Sequence, residues 1–182
     1  MSYNAKLGRV GTTGNTIVRR ESGDGQERSV IHSLHTAAFG RADEADLVDS
    51  LRTEGAVLLS LAGEWEGRVV GHILFSRMFV DTADGPIAAA ALAPVAVLPE
   101  FQGRGMGGRL ITEGLELLRE LGERIVIVLG HPEYYERFGF SCERAGSLES
   151  PFPPEAFMAR ELSPGALDGV RGTVRYAAAF GL

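Results

Sequence analysis

The chain has 182 residues, 45% of them hydrophobic and 23% charged, which is an ordinary composition for one globular domain. Its net charge of −6 at pH 7 argues against a nucleic-acid-binding protein, because such a protein normally carries a basic patch. Cys142 is the single cysteine, so an intramolecular disulfide and a multi-cysteine zinc site are excluded, and we predict no metal site.

The two ends of the chain and its hydropathy suggest a simple organisation. Residues 1–14 have no apolar periodicity and several turn formers, which predicts a tail, and one domain is predicted over residues 15–182. The sequence has neither a signal-peptide pattern nor an apolar run of about 18 residues. We therefore expect no membrane partner and a cytoplasmic location.

The predicted elements follow the spacing of apolar residues along the chain. In chain order they are a strand at 16–21, helices at 24–40 and 42–54, strands at 56–64, 68–80 and 87–98, a helix at 105–121, a strand at 124–130 and a short helix at 132–138. Beyond these, we predict a strand after Phe140 that carries Cys142, a short helical piece at 154–160 and a last strand at 172–180. An antiparallel meander followed by a βαβ unit predicts a mixed α+β fold.

A glycine cluster separates the third strand of the meander from the long helix. Four glycines lie between Gly103 and Gly108, and Arg104 and Arg109 add positive charge. Glycines let backbone N–H groups approach an anion closely, and a helix N-terminus favours negative charge. The cluster therefore predicts a binding site for two bridged phosphates.

Two familiar phosphate-binding motifs explain the cluster less well. Gly103, Gly105 and Gly108 fit G-x-G-x-x-G, but a dinucleotide site also needs an acidic residue at the end of the next strand. That strand ends at Gly130 and His131, without a carboxylate. A P-loop is excluded because the sequence has no G-K-S or G-K-T.

Two segments carry a recognisable pattern: residues 102–107 read QGRGMG, and residues 135–140 read YERFGF. They resemble the Q/R-x-x-G-x-G/A signature and the Y-x-x-x-G-F segment of the GNAT superfamily of N-acetyltransferases. Val97-Leu98-Pro99 before the first motif is also similar to that family. The resemblance covers about 16–145, and the rest of the chain is similar to one bacterial subgroup. It implies a central, mostly antiparallel sheet with a splayed parallel pair, flanked by helices.

The resemblance implies acetyl-CoA as the acetyl donor. The pyrophosphate would bind to the glycine loop, and the pantetheine arm would pair with the strand before it like an added strand. Pro94, which has no N–H, fits a bulge where the sheet opens. The implied cofactor-binding residues are Val95, Ala96, Val97, Gln102, Gly103, Arg104, Gly105, Met106, Gly107, Gly108, Tyr135 and Phe138.

The same resemblance suggests catalytic residues. Tyr135 fits the acid that protonates the departing thiolate, although a tyrosine that only packs against the CoA arm would have the same spacing. For the base, His131 lies at the end of the splayed strand, and a histidine side chain is suited to that task, whereas Glu133, His72 or a water relay are alternatives. No carboxylate lies within residues 88–98, where many members of the family have their base.

Several other side chains have plainer interpretations. His32 and His35 share a face of the first helix without an evident third ligand, so a solvated face is favoured over a metal site. Cys142 is interpreted as a small core residue. Phe152, Phe157 and Met158 are candidates for the lining of an acceptor pocket, although core packing would explain them equally well.

The function predicted from these features is transfer of acetyl from acetyl-CoA to a primary amine of a small molecule or peptide. Dimers are common in the family, so a homodimer is compatible with this prediction. The alternatives are a non-catalytic acyl-CoA-binding sensor of the same fold and, less favoured, an NAD(P)-binding reductase.

Overall fold

A mixed β-sheet forms the frame of the molecule in this computed structural model, which describes residues 10–13 and 16–182. The strands are β1 (Val10–Thr13), β2 (Thr16–Arg20), β3 (Val57–Trp65), β4 (Arg68–Thr82), β5 (Gly85–Val97), β6 (Ile125–Leu129), β7 (Leu148–Glu149), β8 (Phe157–Glu161) and β9 (Gly172–Arg175). The α-helices are α1 (Gly25–Phe39), α2 (Asp43–Glu54), α3 (Met106–Glu120), α4 (Pro132–Tyr135) and α5 (Cys142–Ala145). Short 3-10 helices occupy Pro99–Phe101, Glu136–Phe138 and Ala178–Phe180. Within the residues described, no helix combines the length and apolar character needed to cross a membrane.

β1 lies inside the segment that the sequence predicted as a tail. It pairs with β2 in the antiparallel direction, at the edge of the sheet. The remainder of that predicted tail, residues 1–9 and 14, lies outside the described residues.

The sheet runs in the order β1-β2-β3-β4-β5-β6-β8, and only β5 and β6 are parallel neighbours in that order. The small strand β7 also runs parallel to β9, which extends the sheet beside β4. Pairing between β5 and β6 ends at Leu92 and Val128, although β5 continues beyond this point. The predicted α+β fold with a splayed parallel pair is therefore confirmed.

A bulge in β5 coincides with the end of the parallel pairing. On the β4 side, Leu92 pairs with Phe75 and Val95 pairs with Ile73, so β5 has one extra residue between these pairs. Pro94 lies in this interval, as predicted. Because proline has no backbone N–H, the bulge leaves no N–H group of this residue without a partner.

Helix α3 packs against one face of the sheet at very close range. A Cβ atom added to Gly63 would lie 2.4 Å from the sulfur of Met106, and one added to Gly71 would lie 2.8 Å from Cγ of the same side chain. On the helix, a Cβ atom added to Gly114 would likewise lie too close to the ring of Phe75. Because these three glycines have no side chains, the helix can lie close to the strands.

Helices α1 and α2 cover the opposite face. There Leu74 of β4 packs with Ile31 of α1 and with Val48 and Leu51 of α2, and all four side chains are fully buried. Asp24 caps α1 by accepting a hydrogen bond from Glu27 N (2.8 Å), as its sequence position predicted. Both faces of the central strands are thus covered by helices.

A chain of buried hydrogen bonds crosses this second face. Arg52 donates to Glu21 (2.8 Å), and the hydroxyl of Ser60 donates to the same carboxylate. Since that hydroxyl has one proton, it accepts from His72 Nε2 (2.8 Å), and His72 Nδ1 must then accept from His35 Nε2 (2.8 Å). The direction of the whole chain is therefore set by the Glu21 carboxylate.

The electrostatics of this chain keep both histidines neutral. Burial raises the pKa of Glu21, but the interactions of its carboxylate with His72, Ser60 and Arg52 outweigh burial and lower that pKa to about 2. Burial lowers the pKa of His35 to about 3, and it also lowers the pKa of His72. The prediction of a solvated face was wrong for His35, which is fully buried, because β4 supplies a partner that the helix sequence does not reveal.

Three predictions for the C-terminal third were wrong. The helical piece at 154–160 is instead strand β8, because residues 157–161 pair along their whole length with β6. Cys142 begins helix α5, which Ser141 caps by accepting from Arg144 N, so the strand predicted there reduces to one bridge between Ser141 and Ala159.

The last predicted strand is also shorter than expected. β9 ends at Arg175, and the chain then turns into the 3-10 helix at Ala178–Phe180. The carboxylate of Glu54 accepts hydrogen bonds from the N–H groups of Ala178 and Ala179, both at 2.9 Å, and so holds this segment against α2.

We expect Gly114→Ala to lower the free energy of unfolding by about 1–2 kcal/mol, because overpacking a core outweighs the gain in helix propensity. The new Cβ would lie 2.5 Å from Cε2 of Phe75, which is fully buried. Urea denaturation measures the effect. Gly25→Ala is the matched control, since nothing lies within 4 Å of its added Cβ. A Gly114→Ala protein as stable as the wild type would contradict the close packing.

Stability should fall as the pH is lowered from about 7 to about 5, and His35→Gln should reduce this loss. The unfolded chain binds a proton at His35 near pH 6.5, whereas the folded protein does not do so until about pH 3. Thermal or urea unfolding at several pH values tests this expectation. His32→Gln, on the exposed side of the same helix, is the control. Equal pH dependence in the wild type and His35→Gln would rule out a buried neutral His35.

Candidate active site

A cavity of about 660 Å³ lies between the end of β5, the start of α3 and the short helices after β6. Its lining comprises Val95, Ala96, Val97, Phe101, Gln102, Gly103, Gly105, Met106, Gly107, Gly108, Tyr134, Arg137 and Phe138. Every predicted cofactor-binding residue lines it except Arg104 and Tyr135. Two motifs some thirty residues apart in sequence therefore meet in one cavity.

The glycine loop forms the floor of this cavity. Gly103 and Gly105 have φ values of 72° and 86°, which side chains rarely adopt. The Gln102 side chain donates to the carbonyl of Val97 (3.0 Å) and so ties the loop to β5. The first helical bond of α3 runs from Arg109 N to Gly105 O (3.0 Å), so the N–H groups before Arg109 have no acceptor in the helix. These N–H groups are available to an anion.

The arginines around the loop differ in whether a carboxylate neutralises them. Arg109, which the sequence suggested as a phosphate partner, is paired with Glu113 (2.9 Å). Arg104 lies over the ring of Phe101 at 5.5 Å and lines a smaller cavity of about 230 Å³ next to the first. Arg137, which the sequence analysis did not single out, lies 4.6 Å from the ring centre of Tyr134 and lines the main cavity.

The two adjacent tyrosines occupy different parts of the site. The Tyr134 hydroxyl would lie 2.9 Å from a Cβ added to Gly107, so Tyr134 reaches the start of α3. The Tyr135 ring packs against Gly130, directly after β6, and lies edge-on to Phe140. Tyr135 is thus beside the end of β6, where β5 and β6 have separated.

Burial raises the pKa of both tyrosines. For Tyr134 the positive charge of Arg137 opposes the effect, whereas for Tyr135 the neighbouring Tyr134 adds to it and the pKa reaches about 12. The Tyr135 hydroxyl therefore stays protonated throughout the neutral pH range.

The other candidate residues lie outside the cavity lining. His131 is exposed at the start of α4, where its carbonyl accepts from the N–H groups of Tyr134 (3.0 Å) and Tyr135 (3.2 Å). His72 is fully buried in the hydrogen-bond chain described above. Phe157 and Met158 are buried in the sheet, so core packing accounts for them.

The sequence analysis selected Tyr135 and did not single out Phe101, Tyr134 or Arg137. Tyr134 and Arg137 lie in or beside the Y-x-x-x-G-F segment, where the match to the motif directed attention to its fixed positions. Phe101 follows Pro99, at which the short helix after β5 begins. Only the folded chain shows that these side chains face the glycine loop.

Comparison with known proteins agrees with this geometry. Residues 21–142 match a family model described as an acetyltransferase (GNAT) domain, which covers more than half of the chain. The uncharacterized N-acetyltransferase YjhQ of Escherichia coli K12 is 46% identical over 134 residues, which are 71% of this chain and 74% of that protein. The uncharacterized N-acetyltransferase YhbS of the same strain is 37% identical over 149 residues, or 80% of this chain and 88% of that protein.

Solved structures give the same result. The crystal structure of Escherichia coli YhbS in complex with CoA has a TM-score of 0.84 and 32% identity, covering 95% of this chain and 96% of that one. A GNAT acetyltransferase from Brucella melitensis in complex with acetyl-CoA has a TM-score of 0.76 and 35% identity, covering 92% of this chain and 99% of that one. By fold, motifs and sequence identity, the chain belongs to the GNAT family of N-acetyltransferases.

Proposed function

We propose that this protein transfers acetyl from acetyl-CoA to a primary amine. The observation that carries the proposal is a single cavity lined by both the uncapped start of α3 and the end of β5. The two related structures named above contain CoA and acetyl-CoA, which supports the same ligand here. The predicted homodimer remains a prediction.

The donor would bind by main-chain contacts. The N–H groups of the glycine loop would hold the pyrophosphate at the positive end of the α3 dipole. The pantetheine arm would lie along Val95 and Val97, where β6 has left the edge of β5 free. This arrangement brings the thioester to the gap between the two strands.

The reaction at the gap between β5 and β6 would be a direct attack of the amine on the thioester. The amine nitrogen forms a bond to the thioester carbonyl carbon, the C–S bond breaks, and the sulfur takes a proton from Tyr135. The position of Tyr135 beside Gly130, at the end of β6, supports this role, and its hydroxyl still holds a proton at neutral pH when the thiolate departs. The phenolate then regains a proton from solvent.

The amine must also lose a proton. His131 follows the end of β6 but is exposed and outside the cavity lining, so we propose that water carries the proton from the amine, with His131 as its receiving group. His72 and His35 are less suited to receive this proton. Both are fully buried, and burial lowers their pKa and so disfavours the protonated imidazole.

We expect Gly105→Glu to abolish measurable acetyl-CoA binding in isothermal titration, because a carboxylate at the start of α3 would repel the pyrophosphate. Gly122→Glu is the matched control. Both glycines have positive φ (86° and 89°) with open space around an added Cβ, but Gly122 lies just beyond the other end of α3. Equal binding by the two variants would overturn the proposed cofactor site.

Tyr135→Phe should lower kcat by about 10²- to 10⁴-fold, the usual contribution of a general acid, without changing the affinity for acetyl-CoA. Thiol release from acetyl-CoA, measured with a panel of primary amines, gives the rate. In Tyr134→Phe we expect the affinity to change and kcat to hold, because Tyr134 lines the cavity near Gly107. If kcat falls in Tyr134→Phe and holds in Tyr135→Phe, Tyr134 is the acid. Acetyl-CoA binding without turnover on any amine would favour the sensor alternative.

A further inference from the structure

The gap between β5 and β6 can be approached from both faces of the sheet, because the two strands no longer pair beyond Leu92 and Val128. The proposed acetyl-CoA cavity lies on the α3 face, since the glycine loop and the start of α3 line it. A cofactor bound there would cover the gap from that side. The amine would therefore reach the thioester from the face that α1 and α2 cover, and the side chains around the gap on this face would select it.

Leu129 borders the gap on the α1 and α2 face. Leu74 packs against both helices, and Ser76, two residues further along β4, projects on the same face. Ser76 pairs with Ala91, which pairs with Ile127, and cross-strand partners share a face. Leu129, two residues beyond Ile127, therefore projects there as well. Although it lies in a strand, it is 42% exposed.

Phe39, at the end of α1, lies on the other side of the gap. α1 begins beside β2, where Glu27 forms an ion pair with an arginine of that strand, and it has reached β4 at His35, which donates to His72. Phe39 lies four residues further along, a rise of about 6 Å, which exceeds the spacing of about 4.8 Å between neighbouring strands. α1 contacts β5 as well as β4. The Phe39 ring is stacked on His35 at 6.1 Å and is 41% exposed above β5.

Three half-buried rings lie below the gap on the same face. The N–H of Gly130 donates to the segment before β8 (2.9 Å), and Phe152, which the sequence suggested for the acceptor pocket, belongs to that segment. Phe152 lies edge-on to Tyr176 at 5.7 Å, and Tyr176 lies 5.0 Å from Phe180. All three rings pack against the buried cluster that contains Ala91, so they lie on the α1 and α2 face. Burial raises the pKa of Tyr176, which keeps its hydroxyl uncharged.

The segments that carry these rings have no charged side chains. They are residues 37–40 (AAFG), 150–154 (SPFPP) and 176–180 (YAAAF). A carboxylate or a second ammonium group on the acceptor would lose water here without gaining a partner of opposite charge. The surroundings of the gap therefore favour an acceptor whose only charge is on the reacting amine.

The charged residues that flank these segments already have partners or are exposed. Arg41 is paired with Glu44 (2.6 Å), and Arg175 is paired with Asp81 (2.8 Å). Other flanking carboxylates are equally occupied or solvated: Glu149 accepts from Thr173 (2.9 Å), Glu54 accepts from the N–H groups of Ala178 and Ala179, and Glu155 is exposed.

We propose that the acceptor is a small arylalkylamine, with a single amino group on a short carbon chain that ends in an aromatic ring. The inference rests on the proposed function. The ring of the acceptor would lie between Phe39, Leu129 and Phe152 while the amino group reaches into the gap. Aromatic rings pack favourably edge-to-face, and an aromatic acceptor would cover two large apolar side chains that otherwise face water.

The test compares four amines that differ by one feature each, with thiol release from acetyl-CoA as the measure of rate. We expect kcat/KM for 2-phenylethylamine to exceed that for ethylamine about 10- to 100-fold, the effect of burying one ring. Phenylalanine adds a carboxylate to 2-phenylethylamine, and 1,4-diaminobutane has a second ammonium group in place of the ring. Both should be at least about 10-fold poorer than 2-phenylethylamine.

Two variants test the location of the ring. Leu129→Asn and Phe39→Asn should each reduce the preference for 2-phenylethylamine over ethylamine about three- to tenfold, because each removes apolar contact area. The rate with ethylamine and the affinity for acetyl-CoA should hold, which also demonstrates that the variants are folded. The matched controls are Leu121→Asn and Val30→Asn, which alter side chains that are 52% and 43% exposed at the far end of α3 and earlier in α1. They should keep the preference.

The outcomes separate this inference from the proposed function. If ethylamine, phenylalanine or 1,4-diaminobutane is acetylated as well as 2-phenylethylamine, the arylalkylamine assignment is overturned and the acetyltransferase activity stands. A preference for 2-phenylethylamine that neither Leu129→Asn nor Phe39→Asn reduces would overturn the proposed location of the ring. Acetyl-CoA binding without turnover on any of the four amines would overturn both proposals.

Discussion

β5 and β6 stop pairing at Leu92 and Val128, and the extra residue of β5, at 93–94, follows directly after the last pair. The main-chain groups of β5 beyond this point have no partner on β6, which leaves a strand edge inside the molecule rather than at its border. Unpaired backbone groups in such a place require a ligand or water. The cavity, the position of Tyr135 at the end of β6 and the proposed route of the thioester all follow from this separation.

The glycines around α3 serve packing and binding at once. Gly63, Gly71 and Gly114 let the helix lie close to the sheet, which fixes the height of its N-terminus above β5. The loop before it then turns through Gly103 and Gly105 and leaves the first N–H groups of the helix without acceptors. Side chains at the packing positions would lift the helix and move its N-terminus relative to the strand.

Charge is distributed differently on the two faces of the sheet. On the α1 and α2 face, Glu21 and Arg52 form an ion pair, and the hydrogen-bond chain that starts at Glu21 orients two buried histidines. On the α3 face, Arg104 and Arg137 lie beside the glycine loop without carboxylate partners among the described residues, whereas Arg109 is paired with Glu113. Unpaired positive charge thus lies beside the free N–H groups of the loop, although the protein as a whole is acidic.

The sequence by itself determined the family and most of the elements through β6, because helix caps, apolar periodicity and the motif at 102–107 are local signals. Asp24 and Gly40 bound α1 as predicted. The tertiary structure decided what depends on contacts between distant residues. Residues 157–161 form a strand because β6 offers a free edge, and His35 is buried because His72 lies opposite it. It likewise placed Phe101, Tyr134 and Arg137 around the cavity, since no local pattern records which side chains meet when β5 and β6 separate.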